Sequence, residues 1–371
     1  MKYYYLGQAA NYSRKDRIFH TFAIGTPHDS YRLVNFLARK YKVSKNHVAL
    51  TKNGRSALAL ALEYTIPKGS KVIINGFTCY AVYEAIKAAG MKPVYADIDP
   101  KTLNFTKETI EKVMSEDVKA IIVQNTLGIP APIKDIEKIV KKNRLKLIED
   151  LAHCAGMKYK DGREAGQVGD AVAFSFGKDK VIDTISGGAL ILRDQMSAGI
   201  KAPSKLPKFS DTFRARFYPL FGGIYRGLKH VKLATPWMAI LLKLHMVQRS
   251  ADNKLDIRRR PNHFEAKRAY AQFKKLSRAK KPIRTFYLVR DREEVLRKLR
   301  EAGYFFDGFW YEKPISPNRY YKKVKFPEKD CPNAVRVANS IINLPNYYTK
   351  AQLDKAIKII EEYKITEGNQ K

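Results

Sequence analysis

The chain has 371 residues, 45% of them hydrophobic, enough for a large core and usually two domains; a disordered chain and a membrane bundle are excluded. Seventy Lys and Arg against 36 Asp and Glu give a net charge of +34, which points to partners with negative charge: nucleotide phosphates, anionic lipid or nucleic acid. Cys79, Cys154 and Cys331 are odd in number and lack metal-ligand spacing, and MKYYYLGQAANYSRKDR lacks the apolar core of a signal peptide, so a reduced cytoplasmic setting without a metal is expected.

Residues 1–24 read as an irregular aromatic arm, and Ser30 to Tyr41 has helical spacing, with Leu33, Phe36 and Leu37 on one face. The strand Val48 to Lys52 runs into Asn53-Gly54-Arg55-Ser56 and then a helix from Ala57 to Leu62. A polar turn that opens a helix offers N–H groups and a positive dipole end to a phosphate; a plain N-cap by Asn53 is the alternative. Lys71–Ile74, Lys92–Asp99 and Ala120–Asn125 read as further strands separated by helices, a rhythm that argues a mostly parallel sheet. Asn125 then begins a loop, which it either caps or extends towards a ligand.

The stretch Leu145–Leu192 carries the densest information. Its first apolar run ends in Glu149 and Asp150, as a buried parallel strand does when it delivers a carboxylate to its C-terminal edge. A second run, Ala171 to Phe176, leads to Gly177-Lys178-Asp179-Lys180, and a third begins after Ser186-Gly187-Gly188. An Asp that keeps a pyridine nitrogen protonated, with a Lys that forms a Schiff base, is the equipment of a pyridoxal phosphate (PLP) enzyme. An Asp and a Lys at strand ends also describe an ordinary ion pair.

Beyond residue 200 the composition changes. Residues 201–300 hold 27 Lys and Arg against 7 Asp and Glu, and no acid lies between Asp211 and Asp252. Trp237, Ile240, Leu241, Leu244 and Val247 follow helical spacing near Arg214, Arg216, Arg226, Lys229, Lys232, Lys243 and Arg249. That pattern fits a helix lying in a membrane interface, and equally a basic-flanked core helix or dimer contact. Past Arg258-Arg259-Arg260, helical spacing covers His263–Leu276. A strand over Thr285–Val289, a helix over Arg292–Ala302, a strand over Ile341–Pro345 and a helix over Ala351–Tyr363 follow.

Asp150-Leu151-Ala152-His153, Gly166-Gln167-Val168-Gly169-Asp170, Phe174-Ser175-Phe176 with Lys180, and Gly187-Gly188-Ala189 together resemble the DegT family of PLP-dependent nucleotide-sugar aminotransferases. The resemblance covers roughly 20–200 well and 255–365 loosely. It implies an α/β fold of the aspartate aminotransferase type: a large, mostly parallel sheet domain over 25–200 and a smaller α+β C-terminal domain over 256–371. Between them lies the basic, aromatic-rich segment 201–255. Implied at the cofactor, pyridoxal 5'-phosphate, are Lys180 for the Schiff base, Asp150 at the pyridine nitrogen, and His153 over the ring. Gly54, Arg55, Ser56 and Ser175 fall at the phosphate. The family's ring-stacking aromatic after Thr78 is displaced here, leaving Cys79 or Tyr80, and Asn125 stands where the family often has His. Arg258 stands where the family's Asn reaches the neighbouring subunit's phosphate, which implies a homodimer.

The resemblance thus implies transfer of an amino group from an amino acid, glutamate in most of the family, to a keto sugar carried as a sugar phosphate or nucleotide sugar, for an amino sugar of a cell-surface glycan. Lys180 argues against the dehydratase branch, which has His at that place. A PLP-fold protein that binds a sugar or an anionic lipid-linked partner without turnover is the alternative. Nucleic acid is disfavoured as a partner, because no recognition helix, zinc spacing or RNA-stacking motif accompanies the charge.

Overall fold

The structure, a computed structural model, describes residues 4–6, 18, 20–193, 199–228, 233–247, 254–276, 282–306 and 310–365. In chain order the first part consists of β1 (Tyr4–Tyr5), α1 (Pro27–Tyr41), β2 (Val48–Thr51), α2 (Gly54–Thr65), β3 (Lys71–Asn75), β4 (Thr78–Cys79), α3 (Tyr80–Ala88), β5 (Lys92–Ala96), α4 (Lys107–Lys112), β6 (Val118–Val123), α5 (Ile133–Lys142) and β7 (Lys146–Asp150). There follow β8 (Ala171–Ser175), β9 (Gly188–Leu192), α6 (Phe209–Leu228), α7 (Ala234–Lys243) and α8 (His263–Lys275). The chain closes with β10 (Arg284–Leu288), α9 (Arg292–Glu301), β11 (Tyr304–Phe305), β12 (Ile315–Ser316), α10 (Asn318–Val324), α11 (Pro332–Ser340), β13 (Ile341–Pro345) and α12 (Lys350–Glu362). The contacts group these elements into two compact units, Met1–Ala9 with Thr65–Gly169 and Ala279–Lys371, and Ala10–Tyr64 with Asp170–Arg278. This grouping differs from the sequence-based division at 25–200 and 256–371.

In the first unit four parallel strands run in the order β7-β6-β3-β5. Val72, Ile73, Ile74, Ile121, Ile122, Val123, Leu147 and Ile148 are all buried, which is why these strands are continuous apolar runs instead of alternating ones. The antiparallel pair β10–β13 packs Ile342 and Leu344 with Val295 and Leu299 of α9 and Leu353, Ala356 and Ile360 of α12. Tyr4 and Tyr5 pair in parallel with Tyr304 and Phe305, and Leu6 is buried in that same cluster. The arm expected to be irregular is therefore partly a strand, because its aromatic and leucine side chains find an apolar seat.

Glu149 explains a motif of this unit. Its carboxylate is fully buried and accepts from the Tyr159 hydroxyl (2.8 Å) and from the N–H groups of Gly166 (2.8 Å), Val168 (2.9 Å) and Gly169 (2.6 Å). The glycine-rich stretch after β7 wraps the end of that strand around one anion. Gly166 has φ 91, open to glycine at little cost.

In the second unit β2, β9 and β8 form an antiparallel group in the order β2-β9-β8, a departure from the parallel pattern of the first unit. Residues Arg55 to Leu62 of α2 are all buried, so its Ala-Leu alternation reports burial on every side of a helix and not a strand period. The pair α6–α7 closes around Phe221, Leu241 and Val247, with Phe213, Phe217, Trp237, Met238, Leu242 and Met246 packed against them.

The single apolar face expected over 237–247 is corrected here. Helix α7 ends at Lys243, and His245, at φ 55, reverses the chain. Val247 thereby returns to the cluster, whereas Ile240 and Leu244 face out. Lys229, Lys232 and Arg249 lie outside the described residues, and of Arg226 only its place in α6 is described. Among the described residues no helix is long and apolar enough to cross a membrane, and no group of His, Cys, Asp and Glu could hold a metal ion.

Replacing Glu149 by Gln puts an NH2 where backbone N–H groups point. The loss of at least one charge-assisted acceptor against buried donors should cost about 3 kcal/mol. Urea unfolding should show it as a lower midpoint with unchanged slope. An unaltered midpoint would show that this carboxylate does not hold the loop.

Candidate active site

The second unit brings several polar side chains together at the start of α2. Asn53 caps the helix: its Oδ1 accepts from both the N–H and the hydroxyl of Ser56, each at 2.9 Å, and its Nδ2 donates to the Lys254 carbonyl at 3.2 Å. The Ser56 hydroxyl in turn accepts from the Asp256 N–H at 3.1 Å. The capping reading of this turn is thus realised, and Ser56 faces the protein, tying the 254–256 segment to the helix start. Arg55 is buried beside it. Gly54 leaves room for a close approach, since a Cβ there would lie 2.6 Å from the Cβ of Ser175 and 3.0 Å from its Oγ. The Ser175 hydroxyl at the end of β8 consequently sits against the first turn of α2, where the dipole favours negative charge.

Lys180 follows in a turn that closes from its own N–H to the Gly177 carbonyl at 3.3 Å. The loop is pinned from within. Asp183 accepts from the N–H of Asp179 (3.1 Å) and of Ile185 (3.0 Å), and Gln272 of α8 both accepts from Asp183 N–H (2.8 Å) and donates to its carbonyl (2.7 Å). Lys180 is half-buried there. Lys178, two positions earlier, has a different setting: its Nζ lies 3.9 Å from the centre of the Tyr218 ring, and enclosure of the amine lowers its pKa to about 8. Arg258 is 72% exposed; its N–H donates to Asp256 Oδ1 at 3.0 Å, and its guanidinium lies 3.7 Å from that carboxylate.

The first unit gathers the remaining residues. Asp150 is buried at the C-terminal end of β7, with Oδ1 accepting from the Ala152 N–H at 3.0 Å. His153, also buried, accepts from the Leu127 N–H at Nδ1 (3.2 Å), which leaves Nε2 to carry the proton of the neutral ring. Its ring stacks on Trp310 with centroids 5.0 Å apart, and the Tyr311 ring stands nearly perpendicular to it with centroids 6.2 Å apart. The Leu127 amide that fixes the tautomer belongs to a loop with left-handed backbone at Asn125 (φ 50), Leu127 (φ 55) and Gly128 (φ 84). Asn125 holds this loop: Nδ2 donates to the Tyr159 hydroxyl (3.0 Å) and Oδ1 accepts from Ala131 (2.8 Å). Its side chain thus serves the loop that positions His153.

Tyr80 opens α3 with its ring stacked on Tyr320, centroids 4.3 Å apart and planes 11° from parallel. The Cys79 sulfur caps that helix by accepting from Ala81 at 3.5 Å. Thr78 is buried with its hydroxyl on Gln124, which donates to the Tyr311 hydroxyl at 3.4 Å. Burial holds the Tyr311 phenol well above its usual range. Gln124, Trp310 and Tyr311 escaped sequence reading, because an isolated Gln and a Trp-Tyr pair some 160 residues from His153 carry no periodic signal.

Each unit thus has its own chemical character. The first offers a buried carboxylate and an imidazole N–H at the carboxyl ends of parallel strands. The second offers a primary amine on a pinned loop and a helix start with a hydroxyl at its mouth.

Residues 35–206 match the DegT/DnrJ/EryC1/StrS aminotransferase family. GDP-perosamine synthase of Escherichia coli O157:H7 is 36% identical over 155 residues, covering 41% of this chain and 42% of that protein. The chain spans about two fifths of the length of the curated relatives it matches. Among solved structures, a DegT DnrJ EryC1 StrS aminotransferase from Brucella abortus superposes with a TM-score of 0.65 at 20% identity, covering 94% of this chain and 95% of that one. The GDP-4-keto-6-deoxy-D-mannose-3-dehydratase of E. coli, solved with bound hydrated PLP, gives 0.66 at 16% identity over 97% of this chain and 99% of that one. Residues 35–206, which contain Asp150, His153, Ser175 and Lys180, thus match the DegT/DnrJ/EryC1/StrS aminotransferase family model, and over nearly its whole length the chain has the α/β fold of those solved structures.

Proposed function

We propose that the protein is a PLP-dependent aminotransferase that moves an amino group from an amino acid, glutamate, to a keto sugar carried as a nucleotide sugar, in the making of an amino sugar. The observation that carries the proposal is that the family match contains both a buried Asp150 at a strand end and a Lys180 on a pinned loop. The residues present suit the cofactor. The approach of Ser175 to Gly54, which a Cβ would block, makes a mouth of N–H and O–H donors that fits its phosphate. A buried carboxylate fits its ring nitrogen.

PLP supplies an electron sink for the carbon next to the transferred nitrogen. Asp150 accepts the hydrogen bond of the ring nitrogen and keeps it protonated. His153 presents Nε2–H as a donor at the ring, and the Trp310 stack keeps its plane fixed. Lys180 would hold the cofactor through Nζ, and its amine, when free, would carry a proton from the substrate carbon that bears the amino group to the cofactor carbon on the other side of the nitrogen. The same reading keeps 25–200 and 256–371 as functional modules in a cytoplasmic homodimer. Arg258, exposed in one protomer, reaches the cofactor phosphate of its partner, and the basic 201–255 segment is turned to an anionic membrane.

Incubation with glutamate and a panel of nucleotide-linked keto sugars, followed by mass analysis, should yield one aminated sugar. Absence of any aminated product across the panel would favour a binding protein. Lys180→Ala should lower turnover on the order of 1,000-fold or more while the fold persists, since the variant lacks the amine that would relay the proton. Wild-type turnover in that variant would transfer the role to Lys178. Asp150→Asn should keep PLP bound yet slow turnover on the order of 100-fold, because a neutral amide no longer holds the ring protonated. Gly54→Ala should weaken PLP binding about tenfold, the equivalent of about 1.4 kcal/mol, measured by fluorescence titration. Unchanged affinity would place the phosphate elsewhere.

A further inference from the structure

Helices α6 and α7 are apolar on two sides. Their inner side supplies Phe213, Phe217, Phe221, Trp237 and Leu241 to a shared cluster. On the other side of α7, Leu233 is 54% exposed, Ile240 52% and Leu244 61%, at spacings of seven and four that bring them to one face of the helix. Leu220 and Ile224 of α6, four apart, are each 39% exposed. Lys243 and His245 are exposed next to Leu244. From residue 212 to residue 251 the chain has seven Lys and Arg and no Asp or Glu. A solvated helix face normally alternates charges of both signs; this one has aliphatic tips flanked by positive charge alone.

We propose that the outer face of α7, with Leu220 and Ile224 of α6, docks the enzyme on a bilayer rich in anionic lipid. The choice of a bilayer over a protein partner rests on which side chains are turned outward. Phe213, Phe217, Phe221 and Trp237 are taken up by the inner cluster, and what α7 and the 220–224 stretch of α6 turn outward is Leu and Ile beside Lys243, with Phe209 exposed at the start of α6. The aliphatic tips enter the headgroup and acyl boundary, and the acid-free basic segment meets the headgroup phosphates without repulsion. The attachment lies on the surface, since no described helix is long and apolar enough to cross. The inference extends the membrane side of the reading above and stands independently of aminotransfer.

The test is co-sedimentation of the full-length holoenzyme with vesicles of phosphatidylcholine alone or with about a third phosphatidylglycerol, at moderate salt. Binding to the anionic vesicles should be at least about tenfold stronger than to neutral ones. Ile240→Ser with Leu244→Ser, both at exposed positions, should lose about tenfold at either composition, whereas Lys243→Glu should weaken only the anionic case. Turnover of a soluble nucleotide-linked keto sugar should stay at the wild-type level in all these variants, so a failure here is separable from a failure of the aminotransferase reading. Equal binding of wild type to both vesicle types, or unaltered binding by the double variant, would overturn the proposal. So would absent vesicle binding combined with a change from oligomer to monomer in the double variant, which would assign the face to a second copy of the chain.

Discussion

Burial of the Glu149 carboxylate is the constraint on which the first unit's chemistry depends. A charge at the end of a core strand is tolerable only if it is fully hydrogen-bonded, and here one hydroxyl and three backbone N–H groups converge on it. Side chains alternate along a strand, so seating Glu149 among the 166–169 backbone turns Asp150 to the opposite side. One residue serves the fold, and its neighbour is left at the other side of the strand end. Tyr159 extends the same device, since its hydroxyl donates to Glu149 and accepts from Asn125, which braces the loop whose Leu127 amide sets the His153 tautomer.

The second unit solves a different problem, that of presenting an amine without letting it wander. Eleven residues from Gly177 to Gly187 would ordinarily be a mobile excursion between strands. Asp183 and Gln272 prevent this by binding the loop backbone from inside the turn and from α8. The two lysines of the loop are thereby differentiated. Lys178 is enclosed over Tyr218, and Lys180 is placed at the turn's closing residue.

Much of this was legible in the sequence, for physical reasons that can be named. Fully buried parallel strands must be apolar on both faces, so β3, β6 and β7 stand out as runs, and a run ending in Glu149-Asp150 announces a strand end with chemistry. Asp150 and Lys180 were singled out through the resemblance of several motifs in order, and the structure places the first buried at a strand end and the second half-buried in a loop. What stayed hidden depends on pairing between distant residues. The stacking of Tyr80 on Tyr320, and of His153 on Trp310, joins segments more than 150 residues apart and leaves no period to detect. The 237–247 stretch misled for another reason: its 3–4 spacing is real, but a left-handed residue at His245 breaks the helix and sorts the same side chains between core and surface. Asn125 shows how a polar residue near a site can belong to the scaffold, with both ends of its amide engaged in the loop.

The central claim is that Lys180, and not the enclosed Lys178, bears the cofactor. Borohydride reduction of the PLP-loaded protein, followed by proteolysis and mass mapping, reads this directly. The account predicts a single stable pyridoxyl adduct on Lys180, lost in Lys180→Ala and retained in Lys178→Ala. An adduct on Lys178, or labelling spread over surface lysines with neither residue preferred, would contradict it.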